Sequence, residues 1–427
     1  MKIRFVTLGC KLNFAESSAL GKELLLRGHQ RATLNEVPDV CVVNTCSVTD
    51  AADHKDRQAI NQLHRKYPNA TIVVTGCYAQ LQPEQISQID GVDYVLGQNE
   101  KYDIPQLIEE IEKHASIAST QEPHTNLQDK IRVAAIREVD DFHGVHSADD
   151  RTRCFIKVQD GCNYFCTYCT IPYARGKSRN PKIEEVVIDA QTALSQGAKE
   201  LIITGVNIGD FGRSTGEQFI DLLRAFDQLD GDYRVRISSC EPNLLTDEII
   251  DFVANSKHFA PHFHIPLQSG SNEVLAIMKR RYTRELFAER VQHIRKVMPH
   301  AFIGVDCMVG VRGETEACWE DYLTFIHGLD VSQLHVFTYS ERANTRMLEL
   351  DLYVVPKAER QRRSKILHAV SEEKTSTFYA QHAGRTAVVL WESKKEGDQM
   401  SGFTDNYIKV YGPYKKEKIN TFEEIVL

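Results

Sequence analysis

No stretch of this 427-residue sequence approaches the roughly 18 consecutive apolar residues that a membrane-spanning helix needs. An excess of basic charge is missing too: 51 Lys and Arg stand against 59 Asp and Glu, a formal net charge of −8. That argues against a protein coating nucleic acid over a broad basic face, but leaves room for an enzyme that grips one RNA through a local patch. The start, Met1-Lys2-Ile3-Arg4-Phe5-Val6, has neither an apolar targeting segment nor a small-residue cleavage site. Low-complexity tracts and close internal repeats are absent as well. The expectation is a cytoplasmic protein with no membrane partner. Its 11 cysteines, an odd number, are then expected to be free, metal-bound or catalytic rather than disulfide-paired.

What is present divides into segments, and the length calls for two or three domains. Residues 1–115 alternate strand and helix: Ile3–Thr7, Val40–Asn44, Thr71–Thr75 and Tyr94–Leu96 read as strands. Asn13–Arg27 reads as a helix with Leu20 and Leu24 on one face, stopped at Gly28, and Thr49 or Asp50 can cap the helix running to Tyr67-Pro68. This alternation implies βαβ units and a Rossmann-like parallel sheet. Residues 116–150 read as a polar linker, within which Lys130–Ile136 is a further strand candidate. Residues 151–374 supply six strands: Arg153–Val158, Leu201–Thr204, Arg234–Ser238, His262–Ile265, Ala301–Asp306 and Gln333–Tyr339. Six β/α units suit a partial (β/α)6 barrel, whose site would lie at the C-terminal strand ends. A charged helix with Lys357, Arg360, Arg362, Arg363 and Lys365 closes that segment. In residues 375–427 the period changes; Thr386–Trp391, Tyr407–Tyr411 and Glu423–Leu427 suit a small antiparallel, OB-like barrel. The fold class is α/β throughout the first two domains.

Two cysteine sets stand out. Cys162, Cys166 and Cys169 form C-x-x-x-C-x-x-C just after the first barrel strand. Three thiolates from one tight loop bind three corners of a cubane cluster and leave its fourth iron open. A zinc loop is the alternative, but zinc wants a fourth ligand, and His143 and His146 lie upstream in the linker. Cys10, Cys46 and Cys77 are distant in sequence, yet each follows a strand within three residues. Parallel strands share one edge, so topology alone can bring the three together as a second metal or cluster site. Three unrelated thiols are the alternative. Cys41, inside a strand, is expected in the core.

Gly161-Cys162-Asn163-Tyr164-Phe165-Cys166-Thr167-Tyr168-Cys169 resembles the signature loop of the radical S-adenosylmethionine (SAM) superfamily, including the aromatic Tyr168. Leu8-Gly9-Cys10-Lys11-Leu12-Asn13, Val43-Asn44-Thr45-Cys46-Ser47-Val48-Thr49 and Thr75-Gly76-Cys77-Tyr78-Ala79-Gln80 resemble the three cysteine boxes of the methylthiotransferases. Gly402-Phe403-Thr404-Asp405-Asn406-Tyr407-Ile408 resembles that family's RNA-binding TRAM domain. The resemblance covers nearly the whole chain. It implies two [4Fe–4S] clusters, an auxiliary one on Cys10, Cys46 and Cys77 and a SAM-cleaving one on Cys162, Cys166 and Cys169. It further implies that one SAM methylates a sulfur at the auxiliary site and a second gives the radical. An electron donor and a sulfur donor follow as partners. No residue stands out as acid or base.

Asn44-Thr45-Cys46-Ser47-Val48-Thr49, Asp53-His54-Lys55-Asp56-Arg57-Gln58, Thr170–Arg179 and Ser238-Ser239-Cys240-Glu241-Pro242 resemble the branch acting on N6-threonylcarbamoyladenosine in tRNA. The implied product is 2-methylthio-N6-threonylcarbamoyladenosine next to the anticodon. The alternatives are action on prenylated adenosine, or a noncatalytic iron–sulfur RNA-binding protein. The substrate carboxylate suits a guanidinium reader, and Arg175 and Arg179 lie just past the cluster loop; phosphate contact or plain surface is the other reading. Arg280-Arg281 and the Lys357–Lys365 run read as tRNA-backbone contacts or surface. Gly205, Asn207, Ser238, Ser239 and Gln268, at strand ends, and Tyr168 are implied SAM contacts, with loop capping as the alternative. Arg312 stands where the family has proline, and Ala343-Asn344 where it has Pro-Gly.

Overall fold

The computed structural model describes residues 1–33, 35–117, 130–139, 141–147 and 152–427. It divides into two compact units. The first comprises Met1–Ala148 with Asp160–Asn163 and Cys169–Lys177; the second comprises Asp149–Gln159, Tyr164–Tyr168 and Ser178–Leu427.

The first unit is built on a parallel sheet of β1 (Lys2–Thr7), β2 (Gln30–Arg31), β3 (Val40–Thr45), β4 (Thr71–Gly76), β5 (Tyr94–Leu96) and β6 (Ile131–Arg132), in the order β2-β1-β3-β4-β5-β6. Every residue of β3 is buried, as expected of a strand covered on both faces. Helix α1 (Lys11–Leu26) follows β1, and the left-handed Gly28 ends its turn at φ +88°. Helix α2 (Asp50–Lys66) starts as expected at Thr49, whose hydroxyl accepts from Ala52 N at 3.1 Å. Of the Lys130–Ile136 candidate only Ile131–Arg132 is a strand. The short β7 (Val145–His146) follows. Of the expected linker, residues 118–129, 140 and 148–150 lie outside the described residues.

The second unit contains all six expected β/α strands: β8 (Arg153–Lys157), β9 (Glu200–Thr204), β10 (Arg234–Ile237), β11 (His262–Gln268), β12 (Phe302–Val309) and β13 (Gln333–Thr338). They pair in parallel in chain order, with β10 and β11 joined by the bridges Val235↔Phe259 and Ser239↔His264. Alternate residues, Leu201, Ile203, Val235, Ile237, Ile303 and Val305, enter one apolar core with the helices. Between them on the other face stand Glu200, Arg234, Arg236, His264 and Asp306.

The closing helix runs on to His382 rather than ending near residue 374, so the antiparallel strands start only at Thr386. They number four, not three: β14 (Thr386–Glu396), β15 (Gln399–Thr404), β16 (Lys409–Pro413) and β17 (Phe422–Val426), ordered β16-β15-β14-β17. The unforeseen β15 is joined to β14 by a two-residue turn at Gly397, φ +62°. In the basic run on the helix Lys357, Arg362 and Lys365 are exposed, while Arg363 is not. Arg363 is buried against Glu314, Glu316 and Glu359, Arg362 pairs with Glu359 and Glu316, and Arg360 reaches Glu341.

The TRAM-like segment Gly402–Ile408 docks onto the barrel strands of its own unit. Arg234 donates to Phe403 O at 3.0 Å, and Arg236 donates to Asp405 O at 2.9 Å and Thr404 O at 3.3 Å. Both guanidinium groups also hold the fully buried Glu200. Burial alone would push that carboxyl up, but Arg236 and Arg234 pull it down to about 2. Its stabilising charge is therefore complete above the ordinary value of 4.5 and is lost as pH falls from there toward 2. Glu200→Gln leaves two buried cations short of a partner and should cost about 3–5 kcal/mol in thermal or denaturant unfolding. A loss below about 0.5 kcal/mol would mean the docking does not depend on this charge set.

Candidate active site

Cys10, Cys46 and Cys77 follow β1, β3 and β4, which are adjacent strands of one sheet. The registers Thr7↔Asn44, Asn44↔Thr75 and Thr45↔Gly76 end the three strands level. Cys10 forms the exposed N-cap of α1, while Cys46 and Cys77, the latter opening helix α3 (Cys77–Leu81), are buried. Gly9 is required at the first turn. A Cβ there would lie 2.4 Å from Cys46 Cβ and 2.8 Å from its Sγ, and its φ is +95°. The three thiols sense one another: Cys46 is pushed up to about 12 by burial first, then by Cys77 and Cys10. Buried, mutually repelling thiols ionise together only against a strong cationic partner, which is what an iron cluster supplies. Among the described residues no three Cys, His, Asp or Glu side chains close to the spacing of a single metal ion. A cubane spreads its thiolate ligands more widely than one ion does. Cys41 behaves as expected, fully buried within β3.

Around these thiols lies a buried charged set. Arg175, which from the sequence could approach the substrate, is only 1% exposed and is engaged by buried acids. Its Nη1 donates to Glu16 and Asp160, both at 3.0 Å, and its Nη2 donates to Asn13 Oδ1 at 2.7 Å. Lys101 Nζ completes the set on Glu16 at 2.6 Å. A cation this buried persists only with such partners. Sequence reading missed Glu16 and Lys101, although Glu16 interrupts the apolar ladder Leu12, Leu20 and Leu24 at helical spacing.

Cys162 N donates to Gly176 O at 3.0 Å, which closes the cluster loop on the segment after it. Gly161 permits this: its φ is +68°, and a Cβ would stand 1.9 Å from Lys177 O. In the second unit Cys166 is buried, and Arg280 Nη1 donates to its Sγ at 3.1 Å and to Tyr168 Oη at 3.4 Å. Burial raises the Cys166 thiol and Arg280 draws it back down. Arg280 also pairs with Glu241 and donates to Tyr282 Oη at 3.1 Å. It is thus a buried member of the site rather than a tRNA-backbone contact. Arg281 is exposed, its guanidinium 4.0 Å from the Tyr164 ring centre.

Gly205, Asn207, Ser238, Ser239 and Gln268 stand at or just after the ends of β9, β10 and β11. Gln159, not foreseen, shapes the first of these turns, its Oε1 accepting from Val206 N at 3.0 Å and Asn207 N at 2.7 Å. A Cβ at Gly205 would lie 3.0 Å from Gln159 O. Both amide atoms of buried Asn207 and the Oε1 of Gln268 have no hydrogen-bond partner among the described residues. Gln268 is held at φ +64°. Unspent polar groups and a strained backbone at strand ends suit a polar ligand such as SAM. Arg179 is half-buried in the same unit.

Both departures from the family pattern are compensated. Arg312 pairs with Glu341 at 3.0 Å, tying one divergent loop to the other. Asn344 takes φ +62°, a conformation that asparagine tolerates better than other side chains, at the place of the family's glycine.

Comparison with known proteins agrees with this geometry. Residues 156–326 match the model of the Radical SAM superfamily, and residues 2–97 match Uncharacterized protein family UPF0004. The chain is 35% identical over 96% of its length, and 89% of the relative's, to threonylcarbamoyladenosine tRNA methylthiotransferase MtaB of Bacillus subtilis (strain 168). It is 33% identical to the protein of that name from Aquifex aeolicus (strain VF5), covering 96% of each chain. A tRNA-2-methylthio-N(6)-dimethylallyladenosine synthase of Desulfitobacterium hafniense (strain Y51) is 29% identical over 100% of this chain and 94% of its own. Among solved structures, the radical SAM methyltransferase TsrM of Kitasatospora setae shares the fold, with TM-score 0.58, 17% identity, and coverage of 78% of this chain and 72% of that one. Radical SAM membership brings SAM and a [4Fe–4S] cluster. If the Cys162–Cys169 loop is where that cluster binds, Gly161→Ala should lose most of its iron after anaerobic reconstitution. Full iron retention would show that the loop tolerates a side chain there. With thiols, barrel strands and relatives in agreement, this chain belongs to the MtaB-type family of radical SAM tRNA methylthiotransferases.

Proposed function

We propose that the chain methylthiolates C2 of N6-threonylcarbamoyladenosine next to the anticodon of tRNA, giving 2-methylthio-N6-threonylcarbamoyladenosine, and that it does so with two [4Fe–4S] clusters. The substrate rests on the relatives named for threonylcarbamoyladenosine, at 33–35% identity. The second cluster rests on one observation, the convergence of Cys10, Cys46 and Cys77 at the level ends of adjacent strands. In this reading residues 1–115 carry the auxiliary site, 116–150 link, 151–374 form the radical SAM domain, and 375–427 bind RNA. On the last of these, Tyr411 is 54% exposed, and Lys409 Nζ stands 4.7 Å from its ring centre, a cation and an aromatic surface suited to a nucleotide.

Each residue then has a task. Cys162, Cys166 and Cys169 hold the cluster that receives SAM, and Arg280 orients Cys166. Asn207 and Gln268 spend their unpaired amide atoms on SAM, with Gly205, Ser238, Ser239 and Tyr168 around it. Cys10, Cys46 and Cys77 hold the auxiliary cluster and its sulfur. Arg179 reads the threonylcarbamoyl carboxylate. When bound, SAM and the clusters supply the radical that removes hydrogen from adenine C2 and the methylthio group that replaces it. An aromatic C–H bond is too strong for a side-chain base, which is why no acid or base is assigned. SAM cleavage consumes an electron and the product gains a sulfur, so an electron donor and a sulfur donor are partners.

The test is nucleoside mass spectrometry after incubating reconstituted, reduced protein with SAM and tRNA bearing threonylcarbamoyladenosine. A methylthio mass gain is expected, and Cys46→Ala should abolish it while 5′-deoxyadenosine still forms. A gain only on tRNA bearing prenylated adenosine would refute the substrate. An undiminished gain with Cys46→Ala would refute the auxiliary site.

A further inference from the structure

Buried charge in the first unit is concentrated where the reaction scheme makes no use of it. Glu16, Lys101, Asp160 and Arg175 are all at most 2% exposed and joined by ion pairs. An apolar set of equal volume would serve the fold at least as well, since desolvation offsets most of what such pairs gain. The connections run toward both cysteine sets. On one side, Arg175 Nη2 donates to Asn13 Oδ1 at 2.7 Å, and Cys10 Sγ stands 3.7 Å from the same oxygen. On the other, Asp160 Oδ1 takes Arg175 Nη1 at 3.0 Å and Gly161 N at 2.8 Å, while Cys162 N binds the carbonyl of Gly176, next to Arg175, at 3.0 Å.

We propose that Arg175 is a positioning residue for the auxiliary cluster. Its guanidinium places positive charge beside the N-terminal thiolates and pins both flanks of the Cys162–Cys169 loop to the helix that begins at Cys10. The inference rests on the reading that Cys10, Cys46 and Cys77 hold a cluster. It adds a residue that tunes that cluster and keeps the radical loop in register with it. Positive charge nearby favours the reduced, more negative state of a cluster, so losing Arg175 makes reduction harder.

The experiment uses the full chain, reconstituted anaerobically. A Cys162→Ala/Cys166→Ala/Cys169→Ala background isolates the N-terminal site, whose midpoint potential is read by electron paramagnetic resonance during redox titration. Arg175→Met/Asp160→Asn leaves Glu16 paired with Lys101 and so spares the fold; its midpoint should move to more negative potential. Arg175→Lys keeps the charge and should keep the midpoint. One ammonium group cannot hold Glu16, Asp160 and Asn13 together, however. In the chain with all cysteines, both variants should therefore give roughly tenfold less methylthiolated nucleoside per 5′-deoxyadenosine. An unchanged midpoint in the double variant together with an unchanged product ratio in Arg175→Lys overturns the proposal. If the background chain binds no iron even with Arg175 intact, the auxiliary-cluster reading itself falls.

Discussion

Adjacent parallel strands that end level are the constraint on which the N-terminal site depends. β1, β3 and β4 each run into a turn carrying one cysteine, and parallel pairing leaves those turns no choice but to meet at one edge. Strands in such a sheet lie about 4.8 Å apart, so residues one to three steps past neighbouring strand ends fall within reach of a common ligand. The turns must also be thin. Gly9 lets the Cys10 turn lie against Cys46, and Gly76 passes so close to Thr45 that a Cβ would sit 2.3 Å from its carbonyl oxygen. The cysteines are thus set by the backbone, and burial leaves the Cys46 and Cys77 thiolates dependent on a positive partner.

That dependence explains the charged set beneath them. Glu16, Lys101, Asp160 and Arg175 are neutral in sum, yet it is the Arg175 guanidinium that reaches Asn13, whose Oδ1 stands 3.7 Å from Cys10 Sγ. The second unit repeats the device on a smaller scale, with Arg280 on Cys166 and Glu241 behind it. In both places a guanidinium contributes direction as well as charge, through several fixed donors.

Much of this was legible in the sequence because buried parallel strands appear as short apolar runs. All six barrel strands and the turn position of each N-terminal cysteine could be read from that pattern alone. Side-chain destinations could not. Arg175 looks like a surface reader until the fold brings Glu16, 159 positions away, against it. Arg280 and Arg281 are neighbours in sequence, yet one is buried on Cys166 and the other exposed. Spacing gave no sign that Gly402–Ile408 turns its carbonyls to Arg234 and Arg236. The strand Gln399–Thr404 was missed because Gly402 weakens its pattern; that glycine is needed, since a Cβ there would lie 2.5 Å from Val389 Cγ1. Glu16 was the one clue on offer, an acid within an apolar helical stripe.

The central claim is that one chain holds two cubanes, one on a continuous loop and one on three strand ends. Iron and acid-labile sulfide, counted per chain after anaerobic reconstitution with Mössbauer spectra to define cluster type, test it most directly. The account predicts about eight irons in all-[4Fe–4S] form, falling to about four when Cys10, Cys46 and Cys77 are all changed to Ala. About four irons in the native chain, unaffected by those three changes, would contradict it.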